Sequence, residues 1–526
     1  MFELQSFVLG KTPSRRQLLE YAPISRNAVK VCVYRNHSFE LVEHTIGAFL
    51  DFAGLKADFV YSDYDDSLSF IDLPSDADLL ILWLDLARYK IASVETFVNE
   101  RIAALKTSFK KPVLLVPVGG AIKSSVPTLD LSELQKELGD RFFDERLESA
   151  TGTRLSSAAL IRIAKELGLR YIPALTLSPL KGIVVDLDNT LYEGVLGEDG
   201  ADGVRLTDGH KKLQSFLKEK AENGWFVCVA SKNDERDVFD LFEKRKDFPL
   251  KRSDFTMICA SWSEKSESVK KILKALNVGA DSLLFVDDNA GEVSSMAAAY
   301  PQMKTLLASS DGEETYRMLS FYPGLMKFAI GSDDKIRKAD VQSNALRNEM
   351  QAKLSKEDYI RSLEMKIVFS VDAVDSAPRI AELANKTNQF IFNYKRYKQD
   401  EVLSLMSGKD SVVVSAKLSD KLSDSGTVGV VAGKKIGDGS FDLEECFVSC
   451  RALGRGIDDI LVLGMIRTAM KEVGADRLIV RFQKGERNLP AETFVEKYLK
   501  KFVNASKAFA FDRDDSLVQI EIIKGR

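Results

Sequence analysis

The chain reads as a multidomain α/β protein, and three observations carry that reading. Short apolar runs alternate with amphipathic helical stretches through residues 1–310, the pattern of parallel sheets with helices on both faces. From about residue 363 several strand-like runs precede the next helix, as in an α+β domain. A chain of 526 residues also has the length of about three domains. The divisions fall at 1–178, 179–325 and 363–526, with 326–362 as a connector.

In the first domain the run at 30–34, within "VKVCVY", reads as a strand and 39–53 as a helix. "ADFVYS" and "ADLLILWL" are strands, 93–108 is a helix, and "PVLLVPVGG" is a strand closing on glycines. In the second, "KGIVVDLD" is a strand. Residues 208–223 form a helix with Leu213, Phe216 and Leu217 on one face, ended by Gly224. "WFVCVASKN" is a strand, followed by a helix carrying Val238, Leu241 and Phe242. "ESVKKILKALNVG" sets Val269, Ile272, Leu273 and Leu276 at helical spacing and stops at Gly279. "SLLFVDDNAGE" is an apolar strand running into two aspartates. The connector is highly charged, lacks proline and is rich in helix formers, which predicts a helix. In the last domain "KIVFSV", "SVVVSAKL", "TVGVVAG" and "FDLEECFVSC" are strands before a helix from about 456, and "RLIVRF", a helix and "QIEII" follow.

Composition narrows the function classes. A net charge of -4 gives no global drive towards nucleic acid or an anionic membrane. No apolar run has the length to span a bilayer, and "MFELQSFVLGKTPSRRQ" lacks a basic start followed by an apolar core. Cys32, Cys228, Cys259, Cys446 and Cys450 show no CxxC spacing, so neither a disulfide framework nor a zinc site is expected. A reduced, cytoplasmic protein is the expectation. Only His37, His44 and His210 are present, which removes most histidine-based chemistry.

Asp186 and Asp188 stand at the carboxyl end of a strand, where open parallel sheets bind ligands. Residues two apart on a strand share a side, so their charges repel unless a cation lies between them; Mg²⁺ suits oxygen ligands. Asp287 and Asp288 end another apolar strand, with Glu292 four residues on. Ser231 and Lys265 lie just past a strand and at a helix start. A carboxylate nucleophile, a metal, a hydroxyl and an ammonium are the requirements of phosphoryl transfer. A single aspartate after a strand is most often a turn former or helix cap; an ordered set of this kind is far rarer.

"DLDNT", "SKN", Lys265 in "EKSESV" and "FVDDN" resemble, in order, the four motifs of the haloacid dehalogenase superfamily. The resemblance implies that Asp186 is the phosphoryl-accepting nucleophile and Asp188 the general acid/base. Ser231 and Lys265 would hold the phosphoryl oxygens, and Asp288, supported by Asp287 or Glu292, would complete the Mg²⁺ site. Neither the interval from Asp188 to Ser231 nor that from Ser231 to Lys265 can hold a cap domain, so an open site is expected.

The stretch "SCRALGRGIDDILVLGMI" leads from a strand into a helix. Arg451, Gly454, Arg455 and Gly456 there resemble the pyrophosphate loop of GNAT acyltransferases, where backbone N–H groups at a helix start meet phosphate. An ordinary strand-to-helix turn is the competing reading. Together with "LDNTLYEGVLGEDG" and "ELANKTNQFIFNYKRY", the stretch resembles the FkbH family of fused phosphatase–acyltransferases over residues 181–526. That resemblance implies a phosphorylated acyl donor such as 1,3-bisphosphoglycerate, an acyl carrier protein whose phosphopantetheine thiol accepts the acyl group (or CoA in its place), and a thioester on Cys450. Cys450 borders a helix start and Arg451, surroundings that favour thiolate; Cys446 is the weaker candidate. Tyr192-Glu193-Gly194 stands where the family has Trp-Gly-Gly, and Glu193 adds an anion beside the expected phosphate site. The alternatives are a phosphatase joined to an N-acyltransferase acting on surface-polysaccharide sugars, or a carrier-binding scaffold. The first domain resembles the flavodoxin-like Ser-Gly-Asn-His hydrolases, with Ser38 after its first strand. No histidine occurs between His44 and His210 to serve Ser38, so a docking or lid role is the expectation.

Overall fold

The computed structural model describes residues 2–525 apart from 72, 73, 75, 329–342, 344–346, 348, 349, 352, 438, 450, 486, 487 and 511–516. Cys450 and much of the expected connector lie outside the described residues. The chain divides into two compact units: residues 1–221, 227–266 and 280–330 form one, and 222–226, 267–279 and 331–526 form the other.

The first unit contains two sheets. The first sheet is made of β1 (Ala28–Arg35), β2 (Lys56–Tyr64), β3 (Leu79–Asp85) and β4 (Val113–Val118), all parallel in the order β2-β1-β3-β4. Every residue of β3 and β4 is buried, as parallel strands covered on both faces require. The helices Glu40–Phe52 and Val94–Ser108 match the sequence pattern to within a residue. The helices Phe2–Leu9, Arg15–Glu20 and Ser157–Glu166 were not predicted.

The connections from β1 and β3 diverge, which leaves a crevice at their carboxyl ends. Buried Asp85 takes two hydrogen bonds there from the Arg154 guanidinium, both of 2.9 Å. His37 Nδ1 lies 3.0 Å from Thr153 Oγ1 and its ring stacks on Trp83. Burial lowers its pKa to about 3 and keeps the ring neutral. The Ser38 hydroxyl donates to Glu40 at 2.6 Å, not to a histidine, so Ser38 has no imidazole base to activate it.

The second sheet is made of β5 (Gly182–Val185), β6 (Phe226–Ser231), β7 (Met257–Ala260), β8 (Leu283–Asp287) and β9 (Lys304–Leu307), in the order β7-β6-β5-β8-β9. The pairs β6–β7, β5–β8 and β8–β9 are parallel. β5, β6 and β8 are buried along their length, which makes them legible as apolar runs. β7 and β9 were not predicted; each lies at a sheet edge and is only partly buried, so neither forms a continuous apolar run. Gln5 covers the edge at β9: its amide donates to Leu307 O at 2.8 Å and accepts from Leu307 N–H at 3.0 Å. One side chain thus stands in for a missing strand partner.

The second unit carries a seven-stranded mixed sheet: β10 (Lys366–Val371), β11 (Ser411–Asp420), β12 (Ser423–Lys435), β13 (Ser440–Val448), β14 (Arg477–Val480), β15 (Lys507–Ala508) and β16 (Gln519–Lys524). Their order is β15-β14-β13-β12-β11-β10-β16. Successive strands from β10 to β13 are antiparallel, whereas β13–β14 and β10–β16 are parallel. The helix Asp458–Val473 lies against this sheet. Gly464 is required there, because a Cβ would sit 2.7 Å from the Phe369 ring. β14 pairs with β13 only over Ser440–Leu443, and beyond that point Phe390–Phe392 fills the fork. Phe392 N–H donates to Cys446 O at 3.0 Å, and Gln483 N–H to Phe392 O at 2.8 Å.

Arg154→Met removes the nearer of two cations from buried Asp85 and leaves Arg88 at 4.0 Å. The first unit is expected to lose about 3 kcal/mol of stability, read as a lower midpoint of its urea transition.

Candidate active site

The order of the second sheet brings the carboxyl ends of β5, β6 and β8 side by side, and each ends in a polar residue or is directly followed by one. Asp186 follows β5 and stays in the ladder, its N–H donating to Val286 O at 2.9 Å. Asp287 ends β8 and accepts the Asn289 N–H at 3.0 Å. Asn289 then caps the helix Ala290–Ala299, so strand end and helix start are fixed together. Lys265 opens the helix Lys265–Leu276, and Ser231 closes β6.

The Lys265 ammonium lies 2.8 Å from Asp186 Oδ2 and 2.7 Å from Asp287 Oδ2. All three side chains are buried, at 5 %, 7 % and 0 % exposure, so each charge depends on the others. Burial opposes the Lys265 charge, but Asp186 and Asp287 outweigh it and hold its pKa above the ordinary lysine value. Burial and the Asp186 charge both raise the pKa values of Asp287 and Asp288. Carboxylate oxygens of Asp186, Asp287 and Asp288 lie within 4.8 Å of one another. Asp186 Oδ1 is buried and has no hydrogen-bond partner. Three carboxylates facing one ammonium, with an unpartnered oxygen among them, fit a hard divalent cation such as Mg²⁺.

Asp188 is not in that group. Its Oδ1 accepts from the Tyr192 hydroxyl at 2.7 Å and from Leu196 N–H at 3.0 Å, and its Oδ2 accepts from Asn233 Nδ2 at 2.9 Å. The Asp188 side chain, expected beside Asp186 at the cation, is thus held by neutral donors outside the three-carboxylate group. β5 stops at Val185, and the two-residue alternation of side chains stops with it. Glu292 is also elsewhere, paired with Lys232 at 2.5 Å.

Asn233 and Tyr192 were not identified as site residues from the sequence. Asn233 Nδ2 also donates to Ser231 Oγ at 3.1 Å, so one amide ties the serine to Asp188. Its place in "SKN", two residues after Ser231, was the available signal. Thr190 Oγ1 and Ser261 Oγ are two further buried hydroxyls with no hydrogen-bond partner. Glu193 does not add a free anion to the site. Its carboxylate pairs with Arg205 (Nε–Oε2 2.9 Å), and the two main chains exchange hydrogen bonds of 2.9 and 2.8 Å.

In the second unit, Gly454 and Gly456 both adopt φ +78°, a conformation that favours glycine. The Arg455 guanidinium turns inward, donating to Asp420 Oδ2 at 3.2 Å and to Ser425 Oγ at 2.7 Å. Arg347 holds the same Asp420 through two bonds of 2.8 Å. Arg451 reaches back to Ser449 Oγ at 3.4 Å. Asp458 and Asp459 open the following helix, and burial raises the pKa of Asp458 even though Gly454 N–H bonds to it. One amide of this loop thus serves its own aspartate, and the Arg455 guanidinium is turned towards Asp420 and Ser425. Cys446 is wholly buried, and burial pushes its thiol well above the ordinary cysteine pKa, against thiolate.

No protein-family model matches the chain, and no curated protein matches it significantly. Among solved structures, the chain is similar to the Mg-complexed N-terminal part, containing a phosphatase domain, of a Bacteroides fragilis protein. The identity is 18 %, the TM-score 0.49, and the match covers 60 % of this chain and 98 % of that one. It is also similar to a ribosomal-protein-alanine N-acetyltransferase of Brucella melitensis biovar Abortus, with 15 % identity, a TM-score of 0.20, and coverage of 28 % of this chain and 99 % of that one. An aminoglycoside acetyltransferase from an uncultured soil metagenomic sample matches at 14 % identity and a TM-score of 0.20, over 28 % of this chain and 98 % of that one.

Lys265→Met leaves Asp186 and Asp287 facing each other without a cation. The metal-free variant is expected to lose about 3–5 kcal/mol at neutral pH, with part of the loss recovered in Mg²⁺; thermal denaturation with and without the metal measures both.

Proposed function

We propose that the chain is a Mg²⁺-dependent phosphoryl-transfer enzyme of the haloacid dehalogenase type that couples release of phosphate to acyl transfer. The observation that supports this best is the buried, unpartnered Asp186 Oδ1 beside Lys265, Asp287 and Asp288. The Asp186 oxygen not held by Lys265 attacks phosphorus, and the bond from phosphorus to the leaving oxygen breaks. Asp188, held in one orientation by Tyr192, Leu196 and Asn233, gives that oxygen its proton. The same carboxylate then takes a proton from the water that attacks the aspartyl phosphate, releasing phosphate and restoring Asp186. Ser231 and Lys265 hold the phosphoryl oxygens throughout. A divalent cation at Asp186, Asp287 and Asp288 supplies neutralisation of the phosphoryl charge.

The finer reading rests on the FkbH-like motifs. The donor is a phosphorylated acyl compound such as 1,3-bisphosphoglycerate: the Asp186 site removes its ester phosphate and leaves a hydroxyl, the Cys450 thiolate attacks the acyl-phosphate carbonyl and expels phosphate, and the phosphopantetheine thiol of an acyl carrier protein then takes the acyl group from the thioester and frees Cys450. The Gly454 N–H already bonded to Asp458 and the inward turn of Arg455 favour a carrier-borne thiol over free CoA. The domain limits 1–178, 179–325 and 363–526 and a cytoplasmic location belong to the same proposal. Among the described residues, no helix is long and apolar enough to cross a membrane.

Asp186→Asn keeps the side-chain shape and removes the nucleophile. Phosphate release is expected to fall on the order of 10⁴-fold, and undiminished turnover would exclude the assignment. In the wild type, EDTA should stop release and Mg²⁺ restore it. Intact-mass analysis with 1,3-bisphosphoglycerate should show a hydroxylamine-labile adduct that Cys450→Ala lacks and Cys446→Ala keeps; an adduct surviving in Cys450→Ala would assign the thioester elsewhere.

A further inference from the structure

The carboxyl end of the second sheet carries one feature that the phosphoryl chemistry does not use. Ser261 and Trp262 directly follow β7. The Ser261 N–H donates to the Ser231 carbonyl at 3.0 Å. Three residues after Trp262, the Lys265 ammonium lies between Asp186 and Asp287. The turn 261–264 is therefore anchored at both ends to residues that hold the phosphoryl group. Trp262 is 73 % exposed, whereas Trp83 and Trp225 are 0 % and 4 % exposed. Ser261 Oγ is buried and has no hydrogen-bond partner.

A single exposed apolar side chain is ordinary on a protein surface. An indole on a turn whose two ends are tied to Ser231 and Lys265 is a different case, because nothing in the intervening chain closes that site. Residues 189–230 are spent on the helices Leu196–Gly203 and Asp208–Glu222 and on β6, and residues 232–264 on the helix Glu235–Lys244 and β7. Neither interval holds a cap. A substrate must be gripped at the lip, and tryptophan offers a large rigid surface at little cost in conformational entropy.

We propose that the Ser261–Trp262 turn is the specificity element of this site. The Ser261 hydroxyl donates to a phosphoryl oxygen, and the Trp262 indole packs against the carbon skeleton attached to the phosphate. The turn thereby selects organic phosphates over inorganic phosphate. This rests on the phosphoryl-transfer reading above.

The three tryptophans make the test direct. Full-length Asp186→Asn protein in Mg²⁺ is titrated with phenyl phosphate or inorganic phosphate, with binding followed by calorimetry and exposure by acrylamide quenching of tryptophan fluorescence. Trp262→Phe identifies the quenchable fraction. Saturating phenyl phosphate should shield that fraction, and inorganic phosphate should not. Trp262→Ala, a surface change, should weaken phenyl phosphate about tenfold and leave inorganic phosphate unchanged, whereas Ser261→Ala should weaken both. Phenyl phosphate that binds without shielding the indole overturns the proposal, as does equal weakening of both ligands by Trp262→Ala. If neither phosphate binds, the phosphoryl-transfer reading itself fails and the specificity element fails with it.

Discussion

The ammonium of Lys265, held between Asp186 and Asp287, is the contact on which the rest of the site depends. Three charges taken out of water are tolerable only together: without Lys265 the two carboxylates face each other unpaired, and without either carboxylate the ammonium keeps a single partner. The sheet order makes the grouping possible by placing β5 beside β8. Asp288 and the unpartnered oxygen of Asp186 then leave the cluster with more negative than positive charge. That excess suits a cation and, in the proposed function, phosphate held through it.

A second network stands apart from the first and does different work. Tyr192, the Leu196 N–H and Asn233 hold the Asp188 carboxylate, and Asn233 joins it to Ser231. Two aspartates two residues apart thus have unlike surroundings, one facing an ammonium and the other facing neutral donors. Separate environments of this kind allow one carboxylate to act as nucleophile and the other to move a proton. Ser261 and Trp262 continue the same edge outward, from the phosphoryl oxygens to whatever carries them.

In the second unit, polar groups that could have faced a ligand are used for structure. The buried Glu445 carboxylate accepts the N–H groups of Phe392, Asn393, Lys395 and Cys446, which locks the inserted segment into the sheet fork. Arg455 and Arg347 share Asp420. The glycines of the Arg451–Gly456 loop have the backbone that a phosphate cradle needs, while its charges point to another arrangement.

By itself the sequence determined the parallel α/β character of the first unit, the strands β5, β6 and β8, the polar residues Asp186, Ser231 and Asp287 at their ends, and Lys265 at a helix start. Those features were legible because strands buried on both faces must be continuous apolar runs, and polar residues that interrupt them stand out. The edge strands β7 and β9 left no such mark, since each is only partly buried and has no need of a continuous apolar run. Only the tertiary structure decided that Asp188 turns away from the other carboxylates, that Asn233 bridges it to Ser231, that Arg205 neutralises Glu193, and that Asp420 draws Arg455 inward. Each of these depends on which distant side chain arrives at hydrogen-bonding distance. Local periodicity records the burial of a segment's faces, but it carries no record of the partner that a charge will meet once the chain has folded.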